Sequence, residues 1–91
     1  VMLPQGIVRI GDCAFLGCEL LKTVSVPRSV KEIGNMAFDG CKALSRVVIQ
    51  ENVCFIGDRA FNDCPDVEIS VKGNEYVSTY CKIHGIKYTK A

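Results

Sequence analysis

Tryptophan is absent from this 91-residue chain, histidine occurs once, and Lys+Arg 11 against Asp+Glu 10 leave a formal net charge of +1. Neutralising a nucleic-acid backbone needs a concentrated basic face, so no nucleic-acid partner is expected. Long hydrophobic runs are missing too. Nothing approaches the ~18 to 20 apolar residues of a membrane-spanning helix, and Val1-Met2-Leu3-Pro4 has neither region of a signal peptide. A chain this short buries only about 60% of its unfolded surface, so its core must be efficient or extended by neighbours.

What is present is a repeat. Ile10, Ile33 and Ile56 share one spacing, and the same step carries Gly11 to Gly34 to Gly57, Phe15 to Phe38 to Phe61, and Cys18 to Cys41 to Cys64. Residues 4–26 and 27–49 are identical at nine of 23 positions without a gap: Pro4, Ile10, Gly11, Ala14, Phe15, Gly17, Cys18, Leu21 and Val24 with their counterparts. Roughly one or two would coincide by chance at ordinary composition. A fixed step of this length marks an array of stacked coils, and it divides one domain over 1–91 into units 4–26, 27–49 and 50–72. Residues 1–3 are then the end of a truncated coil and 73–91 a C-terminal cap. Because Val1-Met2-Leu3-Pro4 aligns with Val24-Ser25-Val26-Pro27, the chain reads as the C-terminal piece of a longer array.

Within a coil, Thr23-Val24-Ser25-Val26 alternates as a strand with both valines inward, and Pro27 ends it. Val30 and Ile33 pin a second extended segment, and Gly34 permits a bend before Asn35, a good helix N-cap. A helical turn through Ala37-Phe38 is then expected, stopped by Gly40 as Gly17 stops its counterpart. Stacking puts each Ile, Phe, Cys and Leu on its equivalent and makes one continuous core. After Val67-Glu68-Ile69-Ser70-Val71, Asn74 is expected to cap a helix to about His84, with Gly85 as its stop. Ile86-Lys87-Tyr88 reads as a short strand or tail.

The recurring Val/Ile-x-x-Ile-Gly-x-x-Ala-Phe-x-x-Cys-x-x-Leu-x-x-Val-x-Val/Ile-Pro of residues 7–27 and 30–50, with Gln50 in place of Pro, closely resembles BspA-like leucine-rich repeats. The resemblance covers essentially the whole chain. It implies an α/β repeat solenoid, a curved stack of right-handed coils of about 23 residues with a parallel strand ladder on the concave side and short helical turns, closed by the C-terminal helix. It also implies a cell-surface or secreted location and a role in adhesion or recognition of a protein partner, including a host protein. The family has no catalytic residues to carry over.

Six cysteines allow disulfides in principle. A spacing of ~4.8 Å between coils is within reach of a bridge, yet three cysteines in one column leave one unpaired. Cys18, Cys41 and Cys64 therefore read as a packing ladder of buried thiols, Cys81 as core of the closing helix, and Cys13 and Cys54 as accessible. No spacing of zinc ligands is present. Asp12, Asn35 and Asp58 form an acidic column that reads as turn capping, which Asn serves as well as Asp, rather than as a calcium ladder. His84 reads as a helix-end residue, and Tyr76, Tyr80 and Tyr88 as cover for the last coil. No cofactor and no catalytic or metal-binding residue is assigned.

The leading expectation is a non-catalytic protein-interaction module; the alternatives are purely structural terminal repeats and a thiol or metal enzyme. Alternation of strand side chains selects two outward rows, Thr23, Arg46 and Glu68 beside Met2, Ser25, Val48 and, with one residue deleted, Ser70. The first six of these are the candidate binding residues, with Arg46 and Glu68 also expected to pair across strands. The uncovered N-terminal edge Val1-Met2-Leu3 is expected to favour self-association.

Overall fold

The computed structural model describes residues 1–90. Its strands are β1 (Arg9–Ile10), β2 (Thr23–Ser25), β3 (Glu32–Ile33), β4 (Arg46–Ile49), β5 (Phe55–Ile56) and β6 (Glu68–Val71), followed by helix α1 (Glu75–His84) and strand β7 (Lys87–Lys90). Two sheets result, β1-β3-β5 and β2-β4-β6-β7, and every pairing is parallel. Register follows the repeat. Thr23 lies opposite Arg46 and Ile10 opposite Ile33, whereas Arg46 lies opposite Glu68, which places the deleted residue in the third coil.

The core is the set of columns read from the sequence. Ile33, Phe38, Leu44, Val47, Ile49 and Ile69 are fully buried. Phe15, Phe38 and Phe61 stack with ring centroids 5.2 and 5.3 Å apart and planes within 5° of parallel. That separation is close to the ~4.8 Å between neighbouring strands, so each aromatic layer keeps pace with the ladders.

The expected helical turns are not helices. Residues 12–17, 35–40 and 58–63 are runs of consecutive turns, with Cys13, Met36 and Arg59 in left-handed backbone at φ 59, 55 and 58°. Packed helices sit 8–10 Å apart, about twice the strand spacing, so a helix in every coil would pull the coils apart on that side. Flat turns instead hydrogen-bond from coil to coil. The N–H groups of Phe15 and Phe38 donate to the carbonyls of Ala37 and Ala60 at 2.7 and 2.8 Å, which makes the turns a third ladder beside the two sheets.

Two further corrections concern the same region. Gly34 is required by close approach rather than by a bend: a Cβ there would lie 2.7 Å from the Asp12 nitrogen and 2.8 Å from the Gly11 carbonyl carbon. The column Asp12, Asn35, Asp58 does not cap its own turns. The Asp12 Oδ1 accepts from the Asn35 N–H, and the Asn35 Oδ1 from the Asp58 N–H, each at 2.8 Å. Aspartate and asparagine both supply that acceptor, which is why they interchange.

The C-terminal cap follows expectation at both helix ends. The Asn74 side chain accepts from the Val77 N–H, and Gly85 closes α1 in left-handed backbone at φ 66°. Val77 and Cys81 are buried against the last coil, and Tyr80 meets Phe61 edge-on at 6.4 Å. The tail is a strand of four residues, β7, paired along its length with β6.

Candidate protein-interaction face

The outer surface of the larger sheet is built by alternation. Val24, Val47 and Ile69 point into the core, so the flanking residues Thr23, Arg46 and Glu68 form one outward row, and the register continues it to Lys87 on β7. A second row runs Met2, Ser25, Val48, Ser70 and Thr89. The two rows lie side by side, so all six candidate residues share one surface. Lys87 and Thr89 also belong to it. Sequence reasoning left them out, although the polar-apolar alternation of Lys87-Tyr88-Thr89 was the signal that could have extended the ladder.

Exposure grades the rows. Thr23 and Arg46 are exposed, Ser25, Val48 and Glu68 are half-buried, and Met2 is 82% exposed. Ser70, expected outward, is 5% exposed. Its short side chain lies between the longer Val48 and Thr89 on the adjacent strands, which cover it.

Electrostatics differ from the sequence expectation. Glu68 pairs with Lys87 at 3.8 Å rather than with Arg46, since β7 brings a second cation to its free side. Arg46 makes no ion pair among the described residues. The guanidinium therefore stands in solvent, between Thr23 and the paired Glu68, with the apolar Val48 in the neighbouring row. A planar five-donor group held on a rigid strand is suited to carboxylates and carbonyls of a partner.

The cysteine columns divide by position. Cys41 and Cys64 are buried and donate S–H to the carbonyls of Phe15 and Phe38 at 3.2 and 3.0 Å. Cys18, expected buried with them, is exposed, because the first coil has no described neighbour on its outer side. Burial pushes the Cys41 thiol up, and those of Cys64 and Cys81 up to about 11. Among the described residues no group of three or more His, Cys, Asp or Glu could hold a metal ion, and no helix is long and apolar enough to cross a membrane.

Two parallel strand ladders, a turn ladder and one helix are consistent with an α/β repeat fold of the leucine-rich kind. The chain belongs to the BspA-type leucine-rich repeat family: the family model described as BspA type Leucine rich repeat region (6 copies) matches residues 1–88. No curated protein and no solved structure matches the chain. This repeat family is generally non-catalytic, and membership suggests a protein-interaction or repeat module.

Proposed function

We propose that the chain recognises a protein partner through the outer surface of its larger sheet, in an adhesion or host-recognition role at the cell surface or in secreted form. Right-handed coils, the usual hand of parallel crossovers, would present this surface. The observation that carries the reading is the contrast between columns. Core positions repeat from coil to coil, whereas Thr23, Arg46, Glu68 and Lys87 in one row differ in size and charge. A rigid scaffold with a variable outer row is how solenoids make binding surfaces. Arg46, without an ionic partner among the described residues, beside Val48 and the exposed Met2, provides the mixture of Arg and Met anchors enriched at interfaces.

Cross-linking capture from the surroundings of the source cell, followed by a direct binding measurement, tests the assignment. Arg46→Glu combined with Val48→Asp is expected to weaken binding about tenfold or more, the loss typical of a small anchor pair, with the circular dichroism spectrum unchanged. Charge reversal at Lys31, outside this sheet, is expected to leave binding intact. Equal losses from both variants, or a loss from Lys31→Glu alone, would move the site elsewhere.

A further inference from the structure

A solenoid end has to satisfy every ladder that reaches it, and at the C-terminal end of this molecule two ladders are carried on by added groups and one is not. The larger sheet is extended by β7, which forms its outer edge. The smaller sheet is closed by a side chain, the Ile56 N–H donating to the Tyr76 phenol oxygen at 2.9 Å. The turn ladder has no such closure. Cys13, Phe15 and Gly17 donate their N–H groups to Asn35, Ala37 and Asp39, and Met36, Phe38 and Gly40 donate theirs to Asp58, Ala60 and Asn62. One step on, the N–H groups of Arg59, Phe61 and Asp63 have no acceptor among the described residues. The Asp58 carboxylate is left over in the same way, for its counterparts Asp12 and Asn35 each accept from the following coil.

These groups line a cleft of about 1000 Å³ between the third coil and α1, together with Val67 and Tyr80. The ionic lining is unbalanced. Arg59 pairs with Asp39 at 3.4 Å, Asp63 with Lys42 at 3.1 Å and Lys87 with Glu68 at 3.8 Å. Asp58 and Asp66 have no cationic partner among the described residues.

We propose that this cleft docks a peptide segment bearing basic residues, folded as a run of turns like residues 35–40 and added to the open edge of the turn ladder. Main-chain pairing at an unfilled edge supplies the affinity of such docking, and side-chain positions supply the selectivity. The ladder itself defines the pairing. The segment's first N–H donates to Asp58, and its first, third and fifth carbonyls accept from Arg59, Phe61 and Asp63, as residues 35–39 do against residues 12–17. Tyr80 already lies edge-on against Phe61, so the fourth residue of the segment is small where a stacked coil would place phenylalanine. With Asp58 taken as the first position Asp66 is the ninth, and Lys or Arg at those two positions meets both carboxylates. This site borders the strand surface at Lys87 but does not rest on it.

The test is an amide-resolved NMR titration of the 91-residue chain with the end-blocked nonapeptide Lys-Gly-Ala-Gly-Ser-Gly-Ser-Gly-Lys. Before peptide is added, the amides of Arg59, Phe61 and Asp63 are expected to exchange hydrogen faster than those of Met36, Phe38 and Gly40. Peptide should then shift the first three saturably and slow their exchange. Asp58→Asn with Asp66→Asn keeps the side-chain oxygen acceptors but removes the charge, and is expected to weaken binding about fivefold. Equal exchange in the two sets of amides, no saturable shift at millimolar peptide, equal binding when both lysines are replaced by glutamate, or shifts confined to the strand surface would each overturn the proposal. So would concentration-dependent shifts of the same amides without peptide, which would assign the cleft to a second copy of the chain.

Discussion

Asn74 uses every polar atom of its side chain. Its Oδ1 accepts from the Val77 N–H at 3.1 Å, and its Nδ2 donates to the Val53 and Gln50 carbonyls at 2.7 and 3.0 Å. The residue therefore starts α1 and fastens it to the third coil in one step. Asn74→Asp keeps the cap but removes both donors and sets a carboxylate against two carbonyls in a buried position. A loss of about 2 to 4 kcal/mol in urea unfolding is expected, larger than for Asn74→Ser, because an unsatisfied buried charge costs more than a missing hydrogen bond. A cap-only role would make the aspartate variant as stable as the parent. The N-cap was legible in the sequence from Asn74 preceding a helical pattern; the clamp was not, since its acceptors are some twenty residues upstream, |i−j| being 21 and 24. The thiols divide at the same scale. Cys13, Cys18 and Cys54 are exposed and are expected to react with a thiol reagent in the native state, whereas Cys41, Cys64 and Cys81 react only on unfolding. Desolvation favours the neutral thiol, so the folded Cys64 and Cys81 titrate near 11 against an ordinary 9.0. The unfolded chain then holds fewer protons between those values. The stabilising contribution is full below pH 9 and is lost as pH rises towards 11, which urea unfolding followed across that range would detect as a falling midpoint.

At the scale of the element, the turn ladder decides how closely coils can stack. A glycine in that ladder is valuable for the space it leaves, and the same column gives opposite expectations at different coils. A Cβ on Gly34 would overlap the backbone of Gly11 and Asp12, whereas one on Gly11 meets only Arg9 Nη1 at 3.8 Å. Gly34→Ala is expected to cost about 1 to 3 kcal/mol or more, the range of overpacking in a close-packed interior, while Gly11→Ala is near neutral. Comparable losses in calorimetry would mean that backbone conformation rather than inter-coil contact sets the requirement. The periodic glycines, isoleucines and phenylalanines made the coils, the strand order and the aromatic stack readable from spacing alone. The turn conformation was not readable that way. Asp12 and Asn35 carry a helix-start signal, and the competing factor is the strand spacing on the other sides of the coil, a constraint that exists only once coils are stacked. The candidate binding rows were legible for the same reason as the core, because alternation fixes both at once. Lys87, Thr89 and the Glu68–Lys87 pair depended on a strand arriving from beyond the repeat, where no column predicts it.

The whole molecule is a stack with unlike ends, one covered by α1 and extended by β7 with its turn ladder left open, and the other presenting the first coil. At that end Leu3, Ile7, Phe15 and Leu21 are only partly buried, Leu16 and Leu20 are 50% and 89% exposed, and Ala14 and Cys18 are exposed where their counterparts in the second coil are buried. The carbonyls of Asp12, Ala14 and Leu16 have no donor among the described residues, although their equivalents Asn35, Ala37 and Asp39 each accept one. An apolar layer at a coil end associates readily with a second one, for burial removes the apolar surface of both from water. The isolated 91-residue chain is therefore expected to sediment as dimers or larger species at raised concentration. Leu16→Glu with Leu20→Glu places two charges on that end without touching the core, since both side chains already stand in solvent. The double variant is expected to sediment as a monomer with unchanged unfolding at low concentration. A parent chain that stays monomeric at high concentration, or association that persists in the double variant, would place the contact on another surface. The strand rows around Arg46 are next in line, and repeating the sedimentation with Arg46→Glu and Val48→Asp would distinguish the two.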